Sequence, residues 1–228
     1  MSNELIFISE IIITFSLLLL FYKIFGKTGL YVWIVLATIV ANIQVTVTVA
    51  MFGMVATLGN VIYGTSFLAT DILSEKHGTR DARQGVFIGF LANITVMIIM
   101  QIVIRYSPDT SDFMMGNLQT MFELFPRVVV ASLTAYLISQ LHDTWAFAFW
   151  KERFPRHLWL RNNFSTLVSQ ALDTVIFVVI AFYGVFETEI VLGIATSTYV
   201  LKLAVSISDT PFLYLAARIN KFIYSDEK

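Results

Sequence analysis

Two copies of one polar pattern lie in strongly apolar stretches of this chain. The pattern Ser-Gln-x-x-Asp-Thr occupies residues 139–144 and recurs thirty positions later at residues 169–174. On a helix its Ser and Asp are four residues apart and its Gln and Asp three apart, so each copy presents a hydroxyl, an amide and an acid on one face. Such a face can hydrogen-bond a polar solute. Because an ionisable side chain in hydrocarbon costs roughly 2.5–3.5 kcal/mol, this placement predicts a functional site.

A second pair of acids, Asp71 and Glu75, is four residues apart and therefore lies on one helical face. Two carboxyls this close can share a proton or contact a polar substrate. The alternative is that they end a helix at the membrane surface, where Glu75 pairs with Lys76 or Arg80.

Lys202, Ser206 and Asp209 follow at intervals of four and three residues, so they form one stripe on a helix. An ammonium group deep in a membrane requires an acid, a carbonyl or a ligand as its partner. Asp173 lies about eleven residues past a basic segment, near mid-membrane, and is the predicted partner of Lys202. The pair either belongs to a binding site or has a structural role alone.

The other polar residues in the apolar stretches also have two interpretations. Asp143 is either part of the site or a helix-end acid neutralised by Lys151 or Arg153. Amides either bind a solute or connect helices through hydrogen bonds, which stabilise membrane bundles without a ligand. The candidate amides for binding are Asn93, Gln140, Asn163 and Gln170.

The composition predicts an integral membrane protein. Hydrophobic residues make up 57% of the chain and charged residues 14%, which lies outside the usual range of soluble domains. Most of the hydrophobic stretches reach the roughly 20 residues that span a bilayer. They lie at about 5–25, 30–52, 57–74, 84–104, 121–145, 164–186 and 190–217. The third is the shortest and predicts a tilted or incomplete span.

The positions of Lys and Arg predict how these spans are oriented. With the N-terminus outside, the inside segments hold twelve of the fifteen basic residues, whereas the outside segments hold Arg105 and Arg127. Short cytoplasmic loops collect positive charge, so the pattern predicts seven spans, N-out and C-in. The predicted fold is all-α: a polytopic membrane helical bundle with a six-helix core and an additional N-terminal helix, forming one domain over residues 1–228.

Several classes of function are disfavoured. The net charge of −1 gives no reason to expect nucleic acid, and the lack of cysteine excludes thiolate metal sites and cysteine nucleophiles. The three histidines lack ligand spacing, so neither a metal nor another cofactor is expected. An intramembrane aspartyl hydrolase could use Asp143 and Asp173, but the glycine-rich surroundings of such aspartates are missing. A structural membrane protein would leave the buried polar groups unexplained. We therefore predict a transporter, not an enzyme.

Four stretches, taken together, resemble the queuosine precursor transporter family. They are residues 69–78, 158–166, 169–174 and 199–211, and the resemblance covers most of residues 30–218. It implies multi-pass insertion in the bacterial inner (plasma) membrane, uptake of a 7-deazaguanine-type base, and a fold similar to the vitamin-binding subunits of energy-coupling-factor transporters. Diffusion, proton coupling and ATP-driven transport stay open, so the chain could instead be the substrate-binding subunit of an ATP-driven vitamin-type importer.

The chemistry of the polar residues suits such a nucleobase-like substrate. A guanine-like edge offers two adjacent N–H donors that one carboxylate accepts together, and its carbonyl accepts from an amide or an ammonium. The predicted substrate-binding residues are Asp71, Glu75, Asn93, Gln140, Asp143, Asn163, Gln170, Asp173, Lys202 and Asp209, with no metal ligand among them. The expected partners are the base and the lipid bilayer, with a homo-oligomer or an energising partner left open.

Overall fold

The structure is a computed structural model that describes residues 2–123, 126–184, 187–219 and 222–224. It is an all-α membrane bundle with one small β-hairpin. The elements in chain order are α1 (Asn3–Gln44), β1 (Thr48–Met51), β2 (Met54–Thr57), α2 (Asn60–Lys76), α3 (Thr79–Val103), α4 (Met115–Glu123), α5 (Pro126–Arg153), α6 (Leu158–Phe182) and α7 (Thr188–Ala217).

The α1 helix contains two of the predicted spans, because the chain reverses within it. Forty-two helical residues would extend roughly 60 Å, about twice the hydrocarbon thickness. Gly26 breaks the helix with φ 58° and ψ −139°, a conformation that favours glycine. The two halves run antiparallel, since Asn3 Nδ2 donates to the Ala50 carbonyl and the Phe52 amide donates to Glu4.

The second apolar stretch, predicted as a span over 30–52, is helical only as far as Gln44. The remainder forms the antiparallel β1–β2 hairpin, in which Thr48 pairs with Thr57 and Met51 with Met54. Alternating Val and Thr at residues 45–49 favour a strand, and Phe52 and Gly53 turn the chain with positive φ values of 50° and 73°. The sequence prediction missed this hairpin because hydropathy alone does not distinguish helix from strand.

Four helices of the described chain are long and apolar enough to cross a membrane: Asn3–Gln44, Thr79–Val103, Leu158–Phe182 and Val191–Ala217. Their outer faces carry large exposed aliphatic side chains, including Ile12, Leu91, Ile98, Val175 and Ile207. So much exposed apolar surface is typical of lipid-facing helices.

The α2 helix lies in the centre of the bundle. It has 17 residues and contacts α1, α3, α5 and α7, and nearly all of its residues from Asn60 to Ser74 are buried. Its neighbours therefore shield it from lipid, which explains how a short and comparatively polar helix is accommodated at membrane depth.

The basic segment between the fifth and sixth predicted spans, which the spans imply is a connection over about 151–163, is mostly helical. The α5 helix continues to Arg153 and α6 begins at Leu158, so that the connection is short and Arg161 lies inside a helix. Segments that were predicted to lie on the same side of the membrane contact one another. Lys27 pairs with Asp81, and the Ile223 amide donates to the Lys23 carbonyl. Lys221, Lys228 and parts of the predicted spans 121–145 and 164–186 lie outside the described residues.

Candidate functional site

Four helices converge on the carboxylate of Asp173, which is buried in α6. The Tyr63 hydroxyl from α2 donates to its Oδ1 at 2.6 Å, and the Ser139 hydroxyl from α5 donates to the same oxygen at 3.0 Å. Lys202 from α7 donates to Oδ2 and forms an ion pair with it. All of the nearby donors thus come from different elements, so this carboxylate connects the helices around it.

The repeated polar pattern accounts for part of this convergence. Because α5 and α6 are joined by a short connection, they run antiparallel, and the two copies of the pattern lie side by side. Ser139 of the first copy contacts Asp173 of the second, and His142 Nδ1 lies 2.9 Å from the Ser169 hydroxyl oxygen. The repeat therefore lines one interface with hydroxyl and acid groups from both helices.

Close packing of α2 against α7 brings Tyr63 to the same site. A Cβ atom at Gly64 would lie 2.5 Å from Val205 Cγ1, so the approach of the two helices requires a residue without a side chain. As a result, Lys202 Nζ lies 5.1 Å from the centroid of the Tyr63 ring, within the range of a cation–π contact. The ammonium group is compensated by both a charge and an aromatic face.

Two adjoining cavities open above Asp173 on the side of the β-hairpin. The inner cavity has a volume of about 60 Å³ and is lined by polar groups that include Asn42, Asn60, Tyr63, Asp173 and Lys202. The outer cavity measures about 370 Å³ and is mainly apolar. They share six lining residues: Asn42, Val45, Thr57, Ser132, Phe177 and Thr198.

Amide groups lie where the two cavities meet. Asn42 Nδ2 donates to Asn93 Oδ1 at 2.6 Å, and the Ser132 hydroxyl donates to Asn42 Oδ1 at 2.9 Å. Asn93 also donates to the Gly89 carbonyl. This arrangement resembles the usual small-molecule pocket, in which a few fixed polar groups orient a ligand within apolar walls.

A second group of acids lies deeper in the bundle, away from the hairpin. Asp71, Asp143 and Asp209 come from α2, α5 and α7, and each is at most 1% exposed. The Asp71 and Asp143 carboxyls face one another, with Asp209 near Asp71. Asn162 Nδ2 donates to Asp209 Oδ1 at 2.6 Å, and the Thr166 hydroxyl lies 3.5 Å from Asp71 Oδ2.

Farther from the hairpin than these acids, a cluster of ion pairs connects the ends of three helices. Glu75 from α2 pairs with Arg161 of α6 at 2.6 Å and with Lys151 of α5 at 3.2 Å. Lys151 also donates to the Ser74 and Glu75 carbonyls, and Arg161 donates to the Pro155 carbonyl. The interior is therefore closed at this end by charged side chains.

Known transporters are similar in sequence to this chain over most of its length. Residues 57–216 match the model of the family described as "Putative vitamin uptake transporter". A "Probable queuosine precursor transporter" of Bacillus subtilis (strain 168) is 46% identical over 100% of this chain and 99% of its own length. The chain belongs to this transporter family.

Relatives at lower identity have similar names. A "Queuosine precursor transporter" of Escherichia coli (strain K12) is 31% identical over 73% of this chain and 75% of its own length. A "Probable queuosine precursor transporter" of Haemophilus influenzae is 29% identical over 58% of this chain and 54% of its own length. No solved structure matches significantly. The family names indicate a transporter and not an enzyme, so the aspartyl hydrolase alternative is not favoured.

The transporter brings five of the ten predicted site residues together in two groups. Asp173 and Lys202 form the predicted pair, while Asp71, Asp143 and Asp209 form the deeper group. Gln170 is buried, and its Oε1 has no hydrogen-bond partner among the described residues. Gln140 accepts from Thr70 and donates to Ser66, so it connects α5 to α2.

Three other predicted residues also belong to neither group. Asn93 contacts the outer cavity, and Glu75 belongs to the ion cluster, where its partners are Lys151 and Arg161 instead of the expected Lys76 or Arg80. Asn163 donates to the Trp159 carbonyl and to the Thr210 hydroxyl near the outside of the bundle. Asp143 does not contact Lys151 or Arg153, because Lys151 pairs with Glu75 and Arg153 covers the Phe149 ring.

Sequence reasoning missed several residues that the transporter places at the site. Tyr63 is an aromatic residue in an apolar stretch, and nothing in its spacing indicated a contact with an acid 110 positions away. Asn42 and Asn162 were recognisable as intramembrane amides, but only the fold shows which amides lie near the cavities and the acids.

Proposed function

We propose that this chain carries a queuosine precursor, a 7-deazaguanine-type base, across the bacterial inner membrane as a single multi-pass domain over residues 1–228. The names of its relatives support the substrate class, most directly the name of the relative that is 46% identical over the whole chain. The buried polar interior supports a solute path through the bundle. The E. coli relative points to the same substrate at greater distance.

The position of Asp173 below the cavities is the observation that carries this proposal. Its carboxylate accepts hydrogen bonds from two hydroxyls and an ammonium group, all of which a ligand can replace. A guanine-like edge presents adjacent N–H donors that match one carboxylate. Lys202, once released from Asp173, can donate to the carbonyl of the base. The ion pair thus supplies a donor and an acceptor to one planar ligand.

The cavity volumes support a two-step entry. The outer cavity of about 370 Å³ falls within the range of about 300–1,000 Å³ that is typical of small-molecule pockets, whereas the inner one of about 60 Å³ is too small. A base would first occupy the outer cavity beside Phe177 and Asn42. It would then displace the Tyr63 and Lys202 contacts to reach Asp173.

Uptake of a radiolabelled 7-deazaguanine base into cells that lack their own importer tests this proposal. Cells that produce the transporter should accumulate the base, and Asp173→Asn should reduce uptake at least tenfold, because the amide loses the charge that holds Lys202. Asp81→Asn is a matched control, since Asp81 forms a more exposed ion pair with Lys27 at the periphery. An absence of uptake by protein with verified membrane insertion would overturn the proposal.

Reconstitution addresses the partners of the transporter. If the single chain moves the base in liposomes, neither an energising ATPase nor another protein is required. If the same protein transports in cells but not in liposomes, a partner is needed. The oligomeric state is measured on the same sample by size-exclusion chromatography with light scattering.

A further inference from the structure

Among the described residues, no cationic side chain forms an ion pair with the deep acids Asp71, Asp143 and Asp209. The cationic groups of the surrounding helices are engaged elsewhere: Lys202 with Asp173, Lys151 and Arg161 with Glu75, and Lys27 with Asp81. Lys76 donates to the Ala217 carbonyl, and His142 contacts Ser169. Three like charges in a fully buried site would repel strongly, because the interior screens charge poorly.

The contact between the Asp71 and Asp143 carboxyls also lacks a hydrogen-bond donor. Both oxygens of Asp143 and Oδ1 of Asp71 lack a well-formed hydrogen bond among the described residues, although the two carboxyls face one another. The Ser165 and Ser169 hydroxyls lie near Asp143, but they donate to the backbone carbonyls of Asn162 and Ser165. Two ionised carboxylates cannot bond to each other, whereas a carboxylic acid donates to a carboxylate. One additional hydrogen would turn the repulsion into a strong hydrogen bond.

A neutral side chain in the same place independently lacks a donor. Asn162 is fully buried and directs its amide into the acid group, since its Nδ2 donates to Asp209. The carbonyl oxygen of that amide, Oδ1, has no partner among the described residues. A buried acceptor left without a donor is unfavourable by about 1–3 kcal/mol. The missing component of the cluster is therefore a donor or a cation.

We infer that Asp71 and Asp143 form a proton-binding site, separate from the Asp173–Lys202 pair, and that the protein couples movement of its substrate to movement of this proton. The inference rests on the proposed function. The proton binds one of the two carboxyls, whose O–H group then donates a hydrogen bond to the facing carboxylate. The negative charge that remains on the Asp71–Asp143 pair lies beside Asp209 and Asn162. The residues that face this site are Asp209 on α7, Asn162, Ser165, Thr166 and Ser169 on α6, and His142 on α5 through Ser169.

The lining residues favour a proton over a metal ion. Among the described residues, no group of three or more His, Asp or Glu side chains has a geometry that could hold a metal ion. A proton also requires less space than a hydrated cation, in a place where each acid is at most 1% exposed. A sodium ion is the competing occupant that the experiment must distinguish.

Liposomes loaded with a pH-sensitive dye, their membrane potential held at zero, provide the test. Addition of the base outside should acidify the lumen when the wild-type chain is present. With coupling of one proton to one substrate, a gradient of one pH unit should drive about tenfold accumulation of the base. Asp143→Asn and Asp71→Asn should each abolish the acidification and reduce the accumulation ratio to about one, with Asp81→Asn as the control.

Exchange of labelled for unlabelled base, without any gradient, separates the two proposals. If the wild-type chain does not exchange the base in liposomes and cells that produce it take up none, the proposed function fails. Transport in cells alone would mean that a partner protein energises it, which overturns the proton site. If the chain exchanges the base but shows no acidification and no response to the pH gradient, the proton site is wrong. A response to a sodium gradient in place of the pH gradient would likewise overturn it. The wild-type measurements decide the matter even if both variants fail to fold.

Discussion

Lys202 of α7 forms an ion pair with Asp173 of α6, and Tyr63 of α2 contacts both partners. The two charges are nearly excluded from solvent, with side-chain exposures of 8% and 4%. Such a pair is stable only while both members remain, because each compensates the desolvation of the other. A ligand that separates them must therefore offer hydrogen bonds to both.

Removing either member of this pair should disable the transporter while leaving it able to insert. Asp173→Asn and Lys202→Gln should each abolish or strongly weaken binding of the base, and breaking a buried pair costs about 3–5 kcal/mol of stability. Binding and thermal unfolding of both single variants and the double variant form a double-mutant cycle. If the pair has a structural role alone, the double variant should regain much of the lost transport. If the effects of the two substitutions are additive and Asp173→Asn binds the base with wild-type affinity, Asp173 does not belong to the binding site.

Glu75 should stabilise the bundle far more than a comparable surface acid does. Glu75→Gln leaves Arg161, whose side chain is 4% exposed, without its carboxylate, and should lower the unfolding temperature clearly. Asp81→Asn removes a more exposed pair with Lys27 and should change stability by about 1 kcal/mol or less. Thermal unfolding in detergent compares the two variants. Equal shifts would mean that the cluster does not hold the three helix ends together.

A side chain at Gly64 should separate α2 from α7. Gly64→Val places a Cβ 2.5 Å from Val205 Cγ1, and overpacking of this kind destabilises by about 1–3 kcal/mol. It should also move Tyr63 away from Asp173 and reduce uptake. Gly193→Val makes the same change in helix propensity, but a Cβ at position 193 would have no neighbouring atom within 4 Å. Unfolding temperature and uptake should fall in the first variant and stay near wild type in the second.

The predicted orientation can be tested with single cysteines, because the natural chain has none. Thr110→Cys and Arg156→Cys lie in exposed segments at opposite ends of the bundle. The basic residues predict that the second faces the cytosol. An impermeant maleimide added to intact cells should label Thr110→Cys alone, and both variants should react after the cells are permeabilised. Labelling of Arg156→Cys in intact cells would reverse the orientation.

Membrane character, helix content and the Asp173–Lys202 pair could all be predicted, because each follows from local chemistry. An ammonium and a carboxylate at similar depth on neighbouring helices have few alternatives to pairing. Spans with uniform apolar faces, such as α3, follow equally well from hydropathy. The hairpin at 48–57 was missed, since its apolar residues resemble the end of a span until the turn at Gly53 is considered.

Contacts between distant segments could not be predicted from spacing. Arg161 was assigned to a basic cytoplasmic connection, yet it is buried against Glu75, because α6 starts earlier than its apolar stretch. Tyr63 contacts Asp173 of α6 from a helix that packs closely on α7 at Gly64, and the spacing along α2 shows neither contact. Spacing along one helix shows which residues share a face, but the identity of the facing helix depends on the packing of the whole bundle.

The reversal at Gly26 has a consequence for any shortened gene product. The family match begins at residue 57, but the α1 hairpin before it stacks Phe15 on Phe212 of α7 at 5.0 Å and supplies Ile39 and Asn42 to the outer cavity. A fragment limited to 57–216 would leave that face of α7 bare and the cavity without one wall. Such a fragment should aggregate on extraction from the membrane, and adding residues 2–56 as a separate peptide should rescue its solubility.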